Sequence, residues 1–137
     1  MSINTEILSK CILTLKKSYE SIKASDEGSI DYEMYRNSLV KSFELTLEQA
    51  GKLLKKKITQ FFATNKAVDN LTFKDVFRNA AKHSLITKDE LERWFKYRDN
   101  RNNTAHDYGK AFAEETLALI DLFLVDVKNL KRVIENE

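Results

Sequence analysis

The segment Lys96–Gly109 holds the side chains best suited to chemistry. Its 14 residues include two arginines, three asparagines, two aspartates, one histidine and two tyrosines. An arginine presents a planar, permanently charged fork that matches a phosphate, and a histidine can accept and release protons near neutral pH. Phosphodiester cleavage needs both abilities. Arg101 and His106 are therefore the candidate catalytic pair.

Helix geometry limits how this pair could meet. On an ideal α-helix Arg101 shares a face with Tyr108, seven residues later, and Asn102 shares a face with His106. Arg101 and His106, however, point about 140° apart. One continuous helix would therefore not direct both side chains at one phosphate. Either the helix breaks around residues 103–104, or two copies of the chain combine their side chains across a two-fold axis.

Metal, thiol and phosphate-loop chemistry find little support in the chain. His83 and His106 are far apart and Cys11 is the only cysteine, so neither a zinc site nor a cysteine–histidine pair is expected. The three glycines, at positions 28, 51 and 109, stand alone and form no glycine-rich loop. We therefore expect no metal and no cofactor. The net charge of +2 permits an RNA or another anionic partner without requiring one.

Proline and glycine are scarce, which limits how much of the chain can be loop. There is no proline among the 137 residues, and there are only three glycines. The length suits one domain covering residues 1–137. No apolar run is long enough for a transmembrane helix, and the first ten residues lack the pattern of a signal peptide. We therefore expect a cytoplasmic protein with no membrane partner.

Apolar spacing predicts two long helices in the first half of the chain. The first covers residues 3–22 and buries Cys11, and the second begins at Asp31 as its N-cap and reaches Phe61. Gly51, inside the second, indicates either a close helix approach or a position that lost a larger side chain. The stripes predicted to face the core are Ile3, Ile7, Cys11, Leu15, Tyr19 and Ile22, and then Tyr32, Tyr35, Leu39, Phe43, Leu47, Ala50, Leu54, Ile58 and Phe61.

Three further helices are predicted in the second half. Residues 63–71 are polar and aperiodic, which is typical of a connector. Thr72 with Asp75 and Thr87 with Glu90 have capping-box spacing, and each pair predicts a helix start. The later of these helices runs into the motif, and a final helix follows it to the C-terminus. No alternating run of β-branched residues occurs, so the sequence predicts an all-α fold, an antiparallel bundle of about five helices.

Two other features carry weaker signals. The basic run Lys52, Lys55, Lys56 and Lys57 spans more than one helix face, which fits a solvated surface or a patch for RNA or another partner. His83 lies near a predicted helix end, where a protonated histidine is favoured by the helix dipole. We interpret it as structural or simply exposed.

Three blocks of the sequence resemble the HEPN superfamily, and more narrowly its nucleotidyltransferase substrate-binding protein family. The first block is residues 38–52 on the second helix, and the second is residues 73–82. The third is the spacing of Arg101, His106 and Tyr108. Together they follow the family's order over most of the chain.

The resemblance implies a dimerising antiparallel helical bundle that forms a complex with a small nucleotidyltransferase encoded beside it. In many such pairs the bundle is a toxin, a metal-independent ribonuclease, and the nucleotidyltransferase is its antitoxin. By position, Arg101 would hold and neutralise the scissile phosphate. His106 would act as general base or acid on the ribose 2′-hydroxyl and the leaving oxygen.

The resemblance also assigns supporting roles. Asn102 would be a supporting polar residue, and Glu44 would orient the motif by hydrogen bonding to the arginine. Tyr108 matches the tyrosine that the partner enzyme adenylylates in some toxin pairs. The chain departs from the family at Ala105, where serine is common, and at Gly51, where tryptophan is frequent. Packing beside the motif, and the surface offered to a partner, would differ accordingly.

Three functional hypotheses follow. The first is a dimeric ribonuclease toxin controlled by a nucleotidyltransferase. The alternative is a subunit that binds a nucleotide or presents a substrate to the nucleotidyltransferase and has no chemistry of its own. The third is a helical assembly protein whose motif builds a polar dimer interface.

Overall fold

The computed structural model describes residues 2–104 and 110–136, with side chains for all of these except 101–104 and 110–113. This part of the chain forms six α-helices and no strand. The helices are α1 (Glu6–Lys23), α2 (Ile30–Ile58), α3 (Asn65–Asp69), α4 (Phe73–Lys82), α5 (Lys88–Thr104) and α6 (Lys110–Glu135), and a 3-10 turn at Thr59–Phe61 extends α2. Because α3 has only five residues, the predicted all-α bundle of about five helices is confirmed.

Helix α6 runs antiparallel to α1. The hydroxyl of Thr5, before α1, donates to Glu135 at the end of α6 (2.6 Å), and the hydroxyl of Tyr19, late in α1, donates to Asp121, early in α6 (3.0 Å). The first residues of one helix therefore meet the last residues of the other.

Helix α2 is the central element and runs parallel to α6. Phe43 meets the ring of Phe123 edge-on at 4.8 Å, and near the other end of both helices Lys57 Nζ donates to the carbonyl of Asn136. Helix α2 also packs against α1 and α4. Its predicted core positions from Leu39 to Ile58 are confirmed as buried; they are Leu39, Phe43, Leu47, Ala50, Leu54 and Ile58.

The face that α1 turns to the core differs from the prediction. Ile7 is 63% exposed, whereas Leu8 is fully buried and Ile12 is 6% exposed. Cys11 is half-buried rather than buried, and this burial raises the pKa of its thiol. The prediction is confirmed for Leu15 and Ile22 and was wrong for Ile7 and Cys11. Two adjacent rows of this helix are apolar, and spacing alone does not choose between them. The row containing Leu8, Ile12, Leu15 and Ile22 packs into the core.

Both ends of the predicted second helix also needed correction. Ser29, not Asp31, is the N-cap, and its hydroxyl accepts the backbone N–H of Tyr32 at 3.0 Å. Tyr35 is 36% exposed and Phe61 is 39% exposed, so neither belongs to the core. The apolar spacing of α2 includes both positions, but spacing does not show which positions another helix covers.

The connector is shorter than predicted, and both predicted capping boxes are confirmed. Residues 65–69 form α3, so residues 63–71 are not entirely loop. Thr72 and Asp75 exchange side-chain-to-backbone hydrogen bonds of 3.1 and 3.3 Å at the start of α4. Thr87 and Glu90 do the same before α5, at 3.1 and 3.0 Å. These motifs depend on neighbouring residues only, which is why the sequence reveals them.

Gly51 lies where α2 and α4 approach most closely. A Cβ atom at this position would lie 2.8 Å from Cε2 of Phe73. The ring therefore rests against the backbone of α2, and the predicted close approach is confirmed.

No described helix has a stretch both long enough and apolar enough to cross a lipid bilayer.

Candidate functional site

Helix α5 carries the first part of the motif. Arg101 and Asn102 lie in its last turn, and α6 begins at Lys110. The described part of the motif therefore lies at the end of α5. His106 and Tyr108 lie outside the described residues, so how the arginine and histidine approach each other stays a prediction.

A buried carboxylate on α6 anchors the middle of α5. Asp126 is 2% exposed and accepts two hydrogen bonds from Arg93, from Nε at 2.8 Å and from Nη2 at 2.9 Å. The hydroxyl of Tyr97 donates to the same carboxylate at 2.5 Å. A two-pronged guanidinium–carboxylate contact fixes orientation as well as distance. This network therefore sets the rotation of α5 about its own axis.

The same network shifts two proton affinities. Burial raises the pKa of Tyr97 above its ordinary value, and the hydrogen bond to Asp126 raises it further. The hydrogen bond to Asp126 likewise raises the pKa of Arg93. Arg93 therefore stays charged and Tyr97 stays neutral at physiological pH, so the network is built for structure rather than for proton transfer.

A second polar contact lies directly before the motif. The hydroxyl of Thr116 on α6 donates to Oδ1 of Asn100 on α5 at 3.1 Å. Thr116 is fully buried and Asn100 is 7% exposed. Early residues of α6 thus meet late residues of α5, so the two helices are antiparallel. The backbone that leads into Arg101 is held against α6.

Aromatic packing makes the base of α5 rigid. Trp94 is fully buried between Phe77 of α4 and Phe123 of α6, with ring centroids 4.8 and 5.6 Å away. Tyr97 meets the Phe123 ring edge-on at 4.9 Å. Edge-to-face contacts of this kind resist rotation of the rings. These contacts therefore fix the middle of α5 against α4 and α6.

The helix register places Glu44 level with the last turn of α5. Because α2 is parallel to α6 and α5 is antiparallel to it, α5 runs antiparallel to α2. Arg98 of α5 lines one cleft together with Glu48 and Gly51 of α2. One turn further along α5 are residues 101–102, and one turn back along α2 is Glu44. The backbone of Arg101 is therefore level with Glu44, although its side chain is outside the described residues.

The surface of α2 at this level is polar and concave. Glu44 is half-buried and lines a cleft of about 480 Å³ together with Arg36, Asn37, Val40 and Lys41. Two cations and one carboxylate thus line the same cleft. Such a mixture can hold an anionic group while the carboxylate orients a cation.

Other candidate chemistry is not assembled in the described residues. They contain no group of three or more histidine, cysteine, aspartate and glutamate side chains that could hold a metal ion. His83 follows α4, and its ring stacks on that of Phe61, with centroids 3.9 Å apart. Its position fits the structural interpretation made from the sequence.

Comparison with known proteins identifies the family. Residues 4–136 match proteins described as nucleotidyltransferase substrate binding protein like. The chain belongs to this family. The HEPN assignment made from the sequence is thereby confirmed.

Relatives of this family are similar along nearly their whole length. A probable ribonuclease HepT of Haemophilus influenzae is 26% identical over 128 residues, which cover 90% of this chain and 86% of the relative. A solved Haemophilus influenzae structure, described as the fold of a substrate binding domain of a nucleotidyltransferase, superposes with a TM-score of 0.82. It is 24% identical, and the match covers 97% of this chain and all of the other.

Another related structure is a complex. It contains a tri-AMPylated HEPN toxin of Shewanella oneidensis bound to an MNT antitoxin; the TM-score is 0.67 and the identity 18%, over 98% of this chain and all of the other. These solved structures show that the nucleotidyltransferase substrate-binding fold is shared.

Several residues that position the family motif were not recognised from the sequence. Neither the pair Asn100 and Thr116 nor the pair Arg93 and Asp126 was singled out. A signal for one of them was present, because Asp126 interrupts the strongly apolar run of α6 on the side facing α5. A buried acid in such a position needs a cationic or hydroxyl partner.

Proposed function

We propose that the chain is the toxin partner of a small nucleotidyltransferase and acts, as a homodimer, as a metal-independent endoribonuclease. The observation that supports this proposal is that Arg101 lies in the last turn of α5, a helix held to α6 through Arg93 and Asn100. Family membership and the related probable ribonuclease support it. The related complex of a HEPN toxin with its antitoxin supports the choice of partner.

The chemistry uses one cation and one proton carrier. His106 takes the proton of a ribose 2′-hydroxyl, and the freed oxygen attacks the adjacent phosphorus. Arg101 balances the charge that builds up on the phosphate oxygens. The bond from phosphorus to the 5′-oxygen breaks, and that oxygen receives a proton. The products are a cyclic 2′,3′-phosphate end and a 5′-hydroxyl end. Glu44 orients Arg101, and Asn102 supports the site.

A cleavage assay in the presence of a metal chelator tests this proposal. Wild-type protein cleaves RNA under these conditions, and His106→Ala and Arg101→Ala lose the activity while their circular dichroism spectra stay unchanged. His83→Ala is the matched control, since His83 is the other histidine and stacks on Phe61. Full activity in His106→Ala would refute the proposal.

Tyr108 is the proposed point of control. The nucleotidyltransferase transfers an adenylyl group from ATP to the Tyr108 oxygen and releases pyrophosphate. The added bulk and negative charge next to His106 and Arg101 block RNA binding. Mass spectrometry of the chain after incubation with the partner enzyme and ATP detects the modification, and Tyr108→Phe abolishes it.

A second function is favoured by one observation. The related Haemophilus influenzae structure is described as a substrate binding domain of a nucleotidyltransferase. On this alternative, the same surface binds a nucleotide and presents it to the partner enzyme, without chemistry of its own. Calorimetry with nucleotides, in the presence and absence of the partner, distinguishes the two functions. A binding subunit binds the nucleotide more tightly when the partner is present and cleaves no RNA.

A further inference from the structure

A second cleft lies one helical turn from the motif, between α2, α4 and α5. We call it the flanking cleft and define it by Gly51, Lys52, Lys55, Leu71, Phe73 and Arg98. Its volume is about 320 Å³. Ligand pockets begin at about this size, so the cleft is large enough for part of a nucleotide.

The cleft depends on the missing side chain at Gly51. The Phe73 ring lies against the α2 backbone, within 3 Å of where a Cβ atom would be. Leu71 and Phe73 thus form a floor of half-buried apolar carbon next to open space. A larger residue at position 51 would push the ring outward and occupy the cleft. An apolar floor of this kind suits the flat face of a nucleobase.

The rim of the cleft is basic. Lys52, Lys55 and Arg98 surround it, whereas Glu48 is its one acidic residue. The basic run noted in the sequence is therefore divided, because Lys56 and Lys57 line a different cleft at the far end of the bundle. A net positive rim around an apolar floor is complementary to a nucleotide, which combines a phosphate with an aromatic base.

Arg98 joins the floor to the rim. Its guanidinium lies over the Phe73 ring, 4.8 Å from the ring centroid. Lys55 Nζ is held nearby through a hydrogen bond to the carbonyl of Asp69 at 3.2 Å. A guanidinium fixed on an aromatic face adds positive charge at the edge of the apolar floor.

The distance to the motif fits one nucleotide. Arg98 and Arg101 are three residues apart on α5, which corresponds to about 4.5 Å along the helix axis. A ligand in the flanking cleft would therefore be next to a phosphate held at Arg101.

We infer that the flanking cleft binds the nucleotide adjacent to the scissile phosphate. The base packs on Leu71 and Phe73, and the phosphate of that nucleotide is bound by Lys52 and Lys55, with the charge of Arg98 beside it. The role of the cleft as a subsite for cleavage rests on the proposed function. The binding of a nucleotide in the cleft does not, and it can be measured alone.

Titration of the ¹⁵N-labelled full chain with AMP, followed by NMR, tests this inference. The backbone amides of Gly51, Leu71 and Phe73 shift as AMP binds. The double variant Lys52→Gln/Lys55→Gln weakens binding about tenfold, because two phosphate contacts are lost. Lys16→Gln/Lys17→Gln is the matched control, since it removes the same charge from the exposed face of α1. Its affinity for AMP is unchanged.

The cleavage assay adds a separate readout. With an RNA oligonucleotide, Lys52→Gln/Lys55→Gln raises KM about tenfold and leaves kcat near that of wild type. Lack of cleavage by the wild type would overturn the ribonuclease proposal but not nucleotide binding in the cleft. Amide shifts confined to the far cleft at Lys56 and Lys57, or equal AMP affinity in the two double variants, would overturn the inference.

Discussion

Thr116 donates a buried hydrogen bond to Asn100, across the interface between α6 and α5. Asn100 immediately precedes Arg101 in the sequence, so this bond holds the last turn of α5 at a fixed height on α6. Together with the contact between Arg93 and Asp126, it gives α5 two polar attachment points about two turns apart. The position of the last turn of α5 is therefore set by contacts between helices.

Replacing Thr116 with valine should loosen this attachment. Valine keeps the shape but cannot donate to Asn100, which leaves a buried amide oxygen without this donor. We expect the free energy of unfolding to fall by about 1 to 3 kcal/mol, measured by urea denaturation. On the ribonuclease proposal, the cleavage rate should fall by more than the loss of folded protein accounts for, because Arg101 follows Asn100 directly.

Thr46→Val is the matched control for this substitution. Thr46 is also fully buried, but its hydroxyl donates to the Ser42 carbonyl within α2 at 2.6 Å. Loss of this bond changes stability without moving α5. Equal effects of the two variants on cleavage, at equal stability, would contradict a positioning role for Thr116.

The anchor at Asp126 should matter more for stability. Asp126→Asn keeps the volume but removes the charge that pairs with Arg93, whose side chain is 33% exposed. We expect a loss of about 2 to 4 kcal/mol in urea unfolding, since one charge of a largely buried pair is left without its counterion. Asp99→Asn, which breaks the exposed pair with Lys74, should cost below about 1 kcal/mol. Similar losses in both variants would contradict this ranking.

Tyr97 should make the fold sensitive to alkaline pH. Its pKa is raised in the folded protein above the ordinary value of about 10, so the native state retains a proton that the unfolded chain releases. The stabilisation is therefore complete below about pH 10 and declines as the pH rises further, by up to about 1.4 kcal/mol per unit.

Urea unfolding across the alkaline range measures this decline. Tyr97→Phe should flatten the dependence, because it removes the titrating group. Tyr35→Phe is the control, since Tyr35 is 36% exposed and lies outside the core. A steep decline that persists in Tyr97→Phe would show that another group is responsible.

Local signals made most of the fold predictable. The capping boxes at Thr72 and Thr87 involve residues three positions apart, so the sequence alone locates two helix starts. The rotation of α1 was not predictable, because Ile7 and Leu8 are equally apolar and only the packed neighbours choose between them. Phe61 was also not predictable, because its exposure depends on the packing of His83 at the end of α4 against its ring.

The sequence indicated the candidate site residues but not the contacts that hold helix α5 in place. Arg101 and His106 have unusual chemistry for their position, so residue type alone marks them. The contact of Asn100 with Thr116 joins residues 16 positions apart, and that of Arg93 with Asp126 joins residues 33 apart. Such pairs depend on the antiparallel register of two helices, which a single sequence does not give.

The contact between Gly51 and Phe73 can be tested by a double-mutant cycle. Alanine is favoured over glycine in a helix by about 1 kcal/mol, but its Cβ atom would lie 2.8 Å from the Phe73 ring. We expect Gly51→Ala to stabilise a Phe73→Ala background by about 1 kcal/mol and to give no gain in the wild type. Urea unfolding of the four proteins measures this. The same gain in both backgrounds would contradict the close contact.

On the proposal of a dimeric ribonuclease, mixed dimers distinguish the two ways in which Arg101 and His106 could meet. If each site uses both residues of one chain, a dimer of Arg101→Ala with His106→Ala has no intact site and stays inactive. If each site combines the arginine of one chain with the histidine of the other, the same mixed dimer has one intact site. It should then cleave RNA at about half the rate of the wild-type dimer. Two different affinity tags allow the mixed species to be purified and assayed.

The comparison is decisive because both parent homodimers lack activity on either arrangement. Any rate above theirs must come from a site shared between chains. A mixed dimer of wild type with the double variant Arg101→Ala/His106→Ala is the control. It keeps one intact site only when both residues come from the same chain, so the two mixed dimers must show opposite results. Activity in neither would mean that cleavage needs both sites of the dimer, or that these residues do not form the catalytic pair.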